Sequence, residues 1–157
     1  MAKSKTVAVM ASVHEDGVWV GKNAELQAVI ERAYHRNVQE GVKFRVIWAQ
    51  LPKGQAWLAG HPSTASMLVV PVPDDIAQED RVAMLSDICA GWMDATGCKV
   101  EEIIVNAFTE SAASRYLEVS QSRFDPEKAT GLKLKLLGRL LKSKLSQGFM
   151  TTSINMP

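Results

Sequence analysis

The chain has 157 residues, a net charge of +1 and 46% hydrophobic residues. That is one domain's worth of chain, long enough to bury a real core, and its composition excludes disordered, collagen-like and disulfide-scaffold classes. The near-neutral total gives no footprint for a nucleic-acid partner, and no apolar run approaches the roughly 18 residues of a membrane span.

Met1-Ala-Lys-Ser-Lys leads into only about eight apolar-rich residues, too few for a secretory signal. A cytoplasmic location is therefore expected. The two cysteines, Cys89 and Cys98, have neither the spacing nor the company of a metal site, and read as free thiols. His14, His35 and His61 share no ligand spacing with Cys or Asp, and no glycine-rich loop leads from a strand into a helix. No metal and no cofactor are expected.

In chain order, Thr6–Val13 alternates as a strand, with Val7, Val9, Ala11 and Val13 on one side. His14-Glu-Asp-Gly17 breaks it. Asn23 is suited to cap a helix running to about Val38, with Leu26, Val29, Ile30 and Ala33 inward and Gly41 at its end. Phe44–Leu51 is a second strand, Pro52-Lys-Gly54 a turn, Gln55–Ala59 a short strand and Gly60–Ser63 a turn. Met67–Val72 is a third long strand. Asp75 and Gln78 have the spacing of a capping box for a helix from Gln78 to Thr96, with Val82, Leu85, Ile88, Cys89, Trp92 and Met93 on its buried face. Gly97 ends that helix, and Glu102–Phe108 is a further apolar strand.

The chain thus holds two strand–helix–strand units. Short crossover helices join parallel strands, so the expected fold is α/β (α+β): a four-stranded sheet with both helices on one face. Val7, Val9, Val46, Trp48, Val70 and Ile103 are too apolar for both faces to be solvated. A wide bare apolar face implies a partner, here a second copy of the same chain.

Three stretches resemble the tautomerase superfamily, in particular the branch of cis-3-chloroacrylic acid dehalogenase. They are LPKGQAWLAGHPS (Leu51–Ser63), MLVVPVPDDIAQEDRVAML (Met67–Leu85) and IIVNAFTE (Ile103–Glu110). The likeness runs from about Val7 to Glu118. It implies two β-α-β units per subunit and a homotrimer, in agreement with the bare-face argument.

The family's chemistry uses an amino-terminal proline as base; in an apolar pocket its secondary amine is neutral near pH 7. Here residue 2 is Ala, and Val7 stands in the proline's register, its nitrogen locked in a peptide bond. The resemblance places the family's two carboxylate-binding arginines near Asp75 and Gln78, where Asp75 would repel a carboxylate. Its tyrosine position carries Asn106, and its histidine falls on Tyr34 with His35 beside it. Only the acidic position survives, as Glu118. His35 also suits an ordinary helix end, and Glu118 an ordinary solvated acid.

Two functions stay open. One is an enzyme working through Glu118, His35 and Asn106 on a small carbonyl or carboxylic compound, with Val7, Tyr34, Asp75 and Gln78 lining its pocket. The other is a non-catalytic trimer that binds a small molecule or serves as a structural module. In both, proline-dependent tautomerase or dehalogenase activity is lost.

Past Glu118 the resemblance stops. Residues 128–145 hold six Lys/Arg and no acid, which leaves 12 bases and 17 acids for the rest of the chain. Asp125-Pro126-Glu127 opens a helix, in which Leu134, Leu137, Leu141 and Leu145 form a stripe between lysines. It reads either as a basic amphipathic helix for an anionic membrane surface or as a helix packed on its own oligomer. Phe149–Pro157 would be an edge strand on a neighbouring subunit. The expected division is a 1–6 extension, a 7–118 repeat domain and a 119–157 helical extension.

Overall fold

The computed structural model describes residues 6–123 and 126–153. Its core is a sheet built from two strand–helix–strand units. In the first, β1 (Thr6–His14) leads through α1 (Asn23–Asn37) to β2 (Lys43–Leu51). A small hairpin of β3 (Trp57–Leu58) and β4 (His61–Pro62) follows. In the second unit, β5 (Ser66–Val72) leads through α2 (Gln78–Thr96) and a 3-10 turn (Val100–Glu102) to β6 (Ile103–Thr109). The units join where β1 runs antiparallel to β5, while β1–β2 and β5–β6 are each parallel. All four expected strands are present in the order β6-β5-β1-β2.

A fifth strand completes the sheet. After α3 (Glu110–Gln121) and α4 (Pro126–Gln147), β7 (Met150–Ser153) pairs in parallel with Ile47–Gln50 of β2. The sequence reading put this segment on a neighbouring subunit. The structure places Met150–Ser153 on its own sheet, because the α4–β7 turn is closed locally. Gly148 adopts φ +81° and its N–H donates to Lys144 O, Thr151 N–H donates to Ser143 Oγ, and Thr151 Oγ1 donates to Trp48 O. Residues 154–157 and 1–5 lie outside the described residues, as does Asp125, so the expected extension at 1–6 is seen only at Thr6, the first residue of β1. Residue 118, the expected end of the repeat domain, falls inside α3.

Both helices cover one face. On β1 the odd residues Val7, Val9, Ala11 and Val13 are buried. Register then puts Phe44, Val46 and Trp48 of β2, Leu68, Val70 and Val72 of β5, and Ile103 of β6 on the same side. The six residues expected to be shared between two faces therefore all lie under the helices. The opposite face is apolar through other residues: Met10, Ile47, Met67, Val69, Pro71, Ile104 and Phe108. Met10 is 50% exposed and Phe108 44%.

Leu26, Val29, Ile30, Ala33 and Tyr34 form the buried side of α1. On α2 the buried stripe is Met84, Ile88 and Trp92, each worth about 2 kcal/mol of burial. Leu85, Cys89 and Met93 are half-buried beside it, but Val82 is exposed. Val82 is two residues from Met84, about 200° round the helix, and so points away from the sheet. Three indoles tie the layers together: Trp48 of β2 lies 6.2 Å from Trp92 and stacks on Trp19 at 5.2 Å, and Phe149 meets Trp19 edge-on at 6.4 Å.

Helix ends follow the sequence unevenly. Gly97 ends α2 in the left-handed conformation at φ +71°, its N–H donating to Met93 O, and Gly41 sits at φ +72° after α1. The starts differ from expectation. Lys22 holds the capping position of α1, and Asn23 is already its first residue. Ala77 precedes α2 with no side-chain cap, so the Asp75–Gln78 capping box does not form.

The edge of β2 is covered only over Ile47–Gln50. Beside its uncovered start lies a cleft of about 210 Å³ lined by Lys43, Arg45, Lys144, Gln27 and Phe149, among others.

Gly91 marks the closest approach of α1 and α2. A Cβ there would lie 2.7 Å from Val29 Cγ1. Val29 is buried and its χ1 is stiff, so it cannot swing away. Alanine gains about 1 kcal/mol in helix propensity, but overpacking costs 1–3 kcal/mol. Gly91→Ala is expected to lower stability by about 1 kcal/mol in denaturant unfolding; a stabilised variant would show that the helices separate freely.

Candidate functional site

The strand directions gather one set of ends. The starts of β1 and β2, the finishes of β5 and β6, the last turn of α1 and the first turns of α2 and α3 all lie at the same edge of the sheet. Val7, Tyr34, His35, Asp74, Asp75, Gln78, Arg81 and Glu110 all belong to these ends.

The start of α3 is fixed by two side chains. Thr109 Oγ1 accepts from Ala112 N–H at 3.3 Å, the bond of an N-capping side chain. Asp74 Oδ1, 37 residues earlier, accepts from Ser111 N–H at 3.0 Å and from Ser111 Oγ–H at 2.7 Å. The two Ser111 bonds hold the Asp74 carboxyl below its ordinary range. The acid that braces this corner is thus Asp74, and it serves α3.

Tyr34 is the buried polar group of the site. Its ring meets Phe44 edge-on at 5.1 Å. Its hydroxyl is enclosed and has no hydrogen-bond partner among the described residues. Burial pushes the phenol's pKa up, and the charge of Glu110 pushes it further. The group is therefore a neutral proton donor, enclosed within reach of the charge of Glu110 at the start of α3. His35 points elsewhere: its Nε2 lies 3.1 Å from Val42 O, and its ring meets Phe44 edge-on at 5.5 Å. A carbonyl only accepts, so Nε2 carries the hydrogen.

Arg81 and Glu110 were missed by the sequence reading. Arg81 sits on the buried side of α2, three residues before Met84 and seven before Ile88. It is half-buried, and its Nε is enclosed without a hydrogen-bond partner among the described residues. The signal was available: one cation at the head of the stripe Arg81, Met84, Ile88, Trp92. Glu110 is visible only through its neighbourhood, as the charge felt by Tyr34.

The other expected residues separate. Asp75 and Gln78 are exposed on the lead into α2 and its first residue. Glu118 is exposed on α3. Asn106 pairs in register with Val69, which stands opposite Met10, so it belongs to the open face of the sheet. Within one chain, Asn106 is on the far side of the sheet from Val7 and Tyr34. Among the described residues, no cluster of three or more His, Cys, Asp or Glu could hold a metal ion, and both cysteines are free.

With this geometry in view, the comparison with known proteins is informative at the level of fold. No protein-family model matches the sequence, and no curated protein matches it. Solved structures do. Pt0534 inactivated by 2-oxo-3-pentynoate shares 24% identity at a TM-score of 0.58, over 65% of this chain and 84% of that one. N1, a member of the cis-3-chloroacrylic acid dehalogenase family, shares 16% at 0.56, over 65% and 73%.

The chain shares its fold with these tautomerase-superfamily structures. A fused 4-OT solved as a symmetric trimer matches likewise, with 12% identity, a TM-score of 0.58, and 65% of this chain and 84% of that one covered.

Tyr34 supplies a test of the site. Unfolded, a tyrosine ionises near pH 10; folded, Tyr34 holds its proton higher. Stability is thus unaffected by this group below about pH 10 and falls as pH rises from there toward the folded pKa. Tyr34→Phe should remove that slope, along with the late component of the ultraviolet phenolate titration. It also deletes an unpaired buried hydroxyl, so at neutral pH it should be neutral or stabilising by about 1 kcal/mol. A loss of several kcal/mol at pH 7 would mean that the hydroxyl has a strong partner.

Proposed function

We propose that this chain forms a homotrimer with a tautomerase fold that no longer performs proline-dependent tautomerase or dehalogenase chemistry. We also propose that the strand-end site binds a small carbonyl compound. One observation carries the loss of activity. Val7, in the register of the family's catalytic proline, is a buried residue inside β1, paired with Phe44. Its nitrogen is an amide, without a lone pair basic enough to take a proton near pH 7. The exposed Asp75 and Gln78 offer no cationic clamp where the family has two arginines.

What remains can bind. The Tyr34 phenol is a neutral donor suited to a carbonyl oxygen, and Arg81 is a cation with an enclosed, unpaired N–H on the neighbouring helix. A buried donor without a partner costs about 1–3 kcal/mol, and a ligand oxygen at that position would recover it. Catalysis through Glu118, His35 and Asn106 would need the three to meet between protomers, since Asn106 faces the open side of the sheet.

The trimer rests on that open side. Met10, Ile47, Met67, Val69, Ile104 and Phe108 form a broad apolar face on which, among the described residues, Met10, Met67, Ile104 and Phe108 are exposed, and faces of this kind mark interfaces. A closed ring of three copies would bury it. The trimeric 4-OT neighbour supports the reading by analogy of fold.

Two measurements test the proposal. Light scattering at micromolar concentration should give about three times the 17.2 kDa chain mass; a single-chain mass sinks the trimer. Incubation with 2-oxo-3-pentynoate, the compound that inactivates Pt0534, should leave the chain mass unchanged. A stoichiometric adduct at the amino terminus, with loss of a measured ketonisation rate, would show that the chemistry survives.

A further inference from the structure

The helix α4 has two apolar sides, and the fold uses only one. At about 100° per residue, Leu132, Leu136, Leu140 and Ser143 share one side of it. Leu140 and Ser143 are buried there, and Ser143 anchors β7. About 150° round the helix lies a second stripe, Leu134, Leu137, Leu141 and Leu145. These four are 65%, 53%, 49% and 88% exposed. The helix packs chiefly on β7, so the outer stripe has no cover among the described residues.

The charges beside that stripe are of one sign. Lys135 and Lys142 flank it on one side, Lys133 and Lys144 on the other, and Arg139 lies further round; residues 128–145 contain no acid. A second copy presenting the same stripe would set lysine against lysine. The open sheet face offers no better match, since its strand residues include Lys43 and Arg45 and no acid. An apolar stripe between two cationic borders fits a surface that is apolar within and anionic at its boundary, where lysine stems lie along the hydrocarbon and the ammonium groups reach the headgroups.

We infer that the outer face of α4 docks in the plane of an anionic lipid surface and makes this a peripheral membrane-binding chain. The four leucines enter the headgroup boundary and the bases contact anionic headgroups. No helix among the described residues is long and apolar enough to cross a membrane, so the contact is reversible and salt-sensitive. The inference does not depend on the strand-end site.

The test is sedimentation of the full chain with phosphatidylcholine vesicles, with and without phosphatidylserine. Binding is expected only with phosphatidylserine and should weaken as salt rises. Lys135→Gln with Lys142→Gln should lower the partition coefficient roughly twenty-five-fold, at about five-fold per base. Leu137→Glu with Leu141→Glu should abolish it, while far-ultraviolet circular dichroism and the light-scattering mass stay unchanged, because both leucines are at the surface. Absence of binding to phosphatidylserine vesicles at low salt overturns the inference. Binding that the leucine double variant leaves intact overturns it as well. So does a leucine double variant that falls to a smaller assembly, since the stripe would then be a contact between copies.

Discussion

Everything in this molecule hangs on the alternation of β1. It pairs along its whole length with parallel β2 and joins the second unit through antiparallel β5. Its odd residues lie under the helices; of its even residues Thr6, Ala8 and Met10 are exposed on the other face, whereas Ser12 and His14 are buried. A slip of one residue would exchange the two sets, putting Val7, Val9 and Val13 into solvent. That single register decides which residues of β2, β5 and β6 are core, and it sends Asn106 to the side away from Tyr34. It also brings the starts of β1 and β2 to the same edge as the ends of β5 and β6, and so creates the corner where the candidate site sits.

That corner is held together by bonds between residues far apart in the chain. Val7 is buried there, and the exposed lead into α2 carries an acid, Asp75. The packing around them is nevertheless complete: Asp74 braces α3, Thr109 caps it, and Phe44 supports the Tyr34 ring. Five enclosed side-chain atoms lack a hydrogen-bond partner among the described residues: Tyr34 Oη and Arg81 Nε at this edge, and His14 Nε2, Asn23 Nδ2 and Trp92 Nε1 toward the opposite one.

The long strands and the two helices between them were legible because period-two and period-3.6 patterns are written in consecutive residues. Thr6–His14, Lys43–Leu51 and α2 all fall within a residue or two of expectation. Local spacing misled where a long-range partner decided the outcome. Asp75 and Gln78 have capping-box spacing, but the chain leaving Pro73 gives Asp74 to Ser111, 37 residues away, and leaves Ala77 to start the helix. Val82 looked like core because it is apolar; the stripe centred on Met84 and Ile88 leaves it outside. The sequence reads Phe149–Pro157 as an edge strand, but not that it pairs with β2 of its own chain. That position depends on an edge-on contact with Trp19 and on a serine of α4, neither of which leaves a periodic trace.

The partial cover of β2 has a consequence for how the chain behaves among its own copies. A sheet edge is a template on which any extended chain can lengthen the ladder. Here β7 occupies the apolar part of that edge, Ile47–Gln50, and the part left open begins with Lys43 and Arg45. An incoming strand at β2 would therefore meet either a place already taken or a pair of cations. The C-terminal arm, beyond carrying a surface helix, moves the outer edge of the sheet from the nine residues of β2 to the four of β7. A chain cut short before Met150 would return the apolar stretch Ile47–Gln50 to the edge, where another extended chain could pair with it.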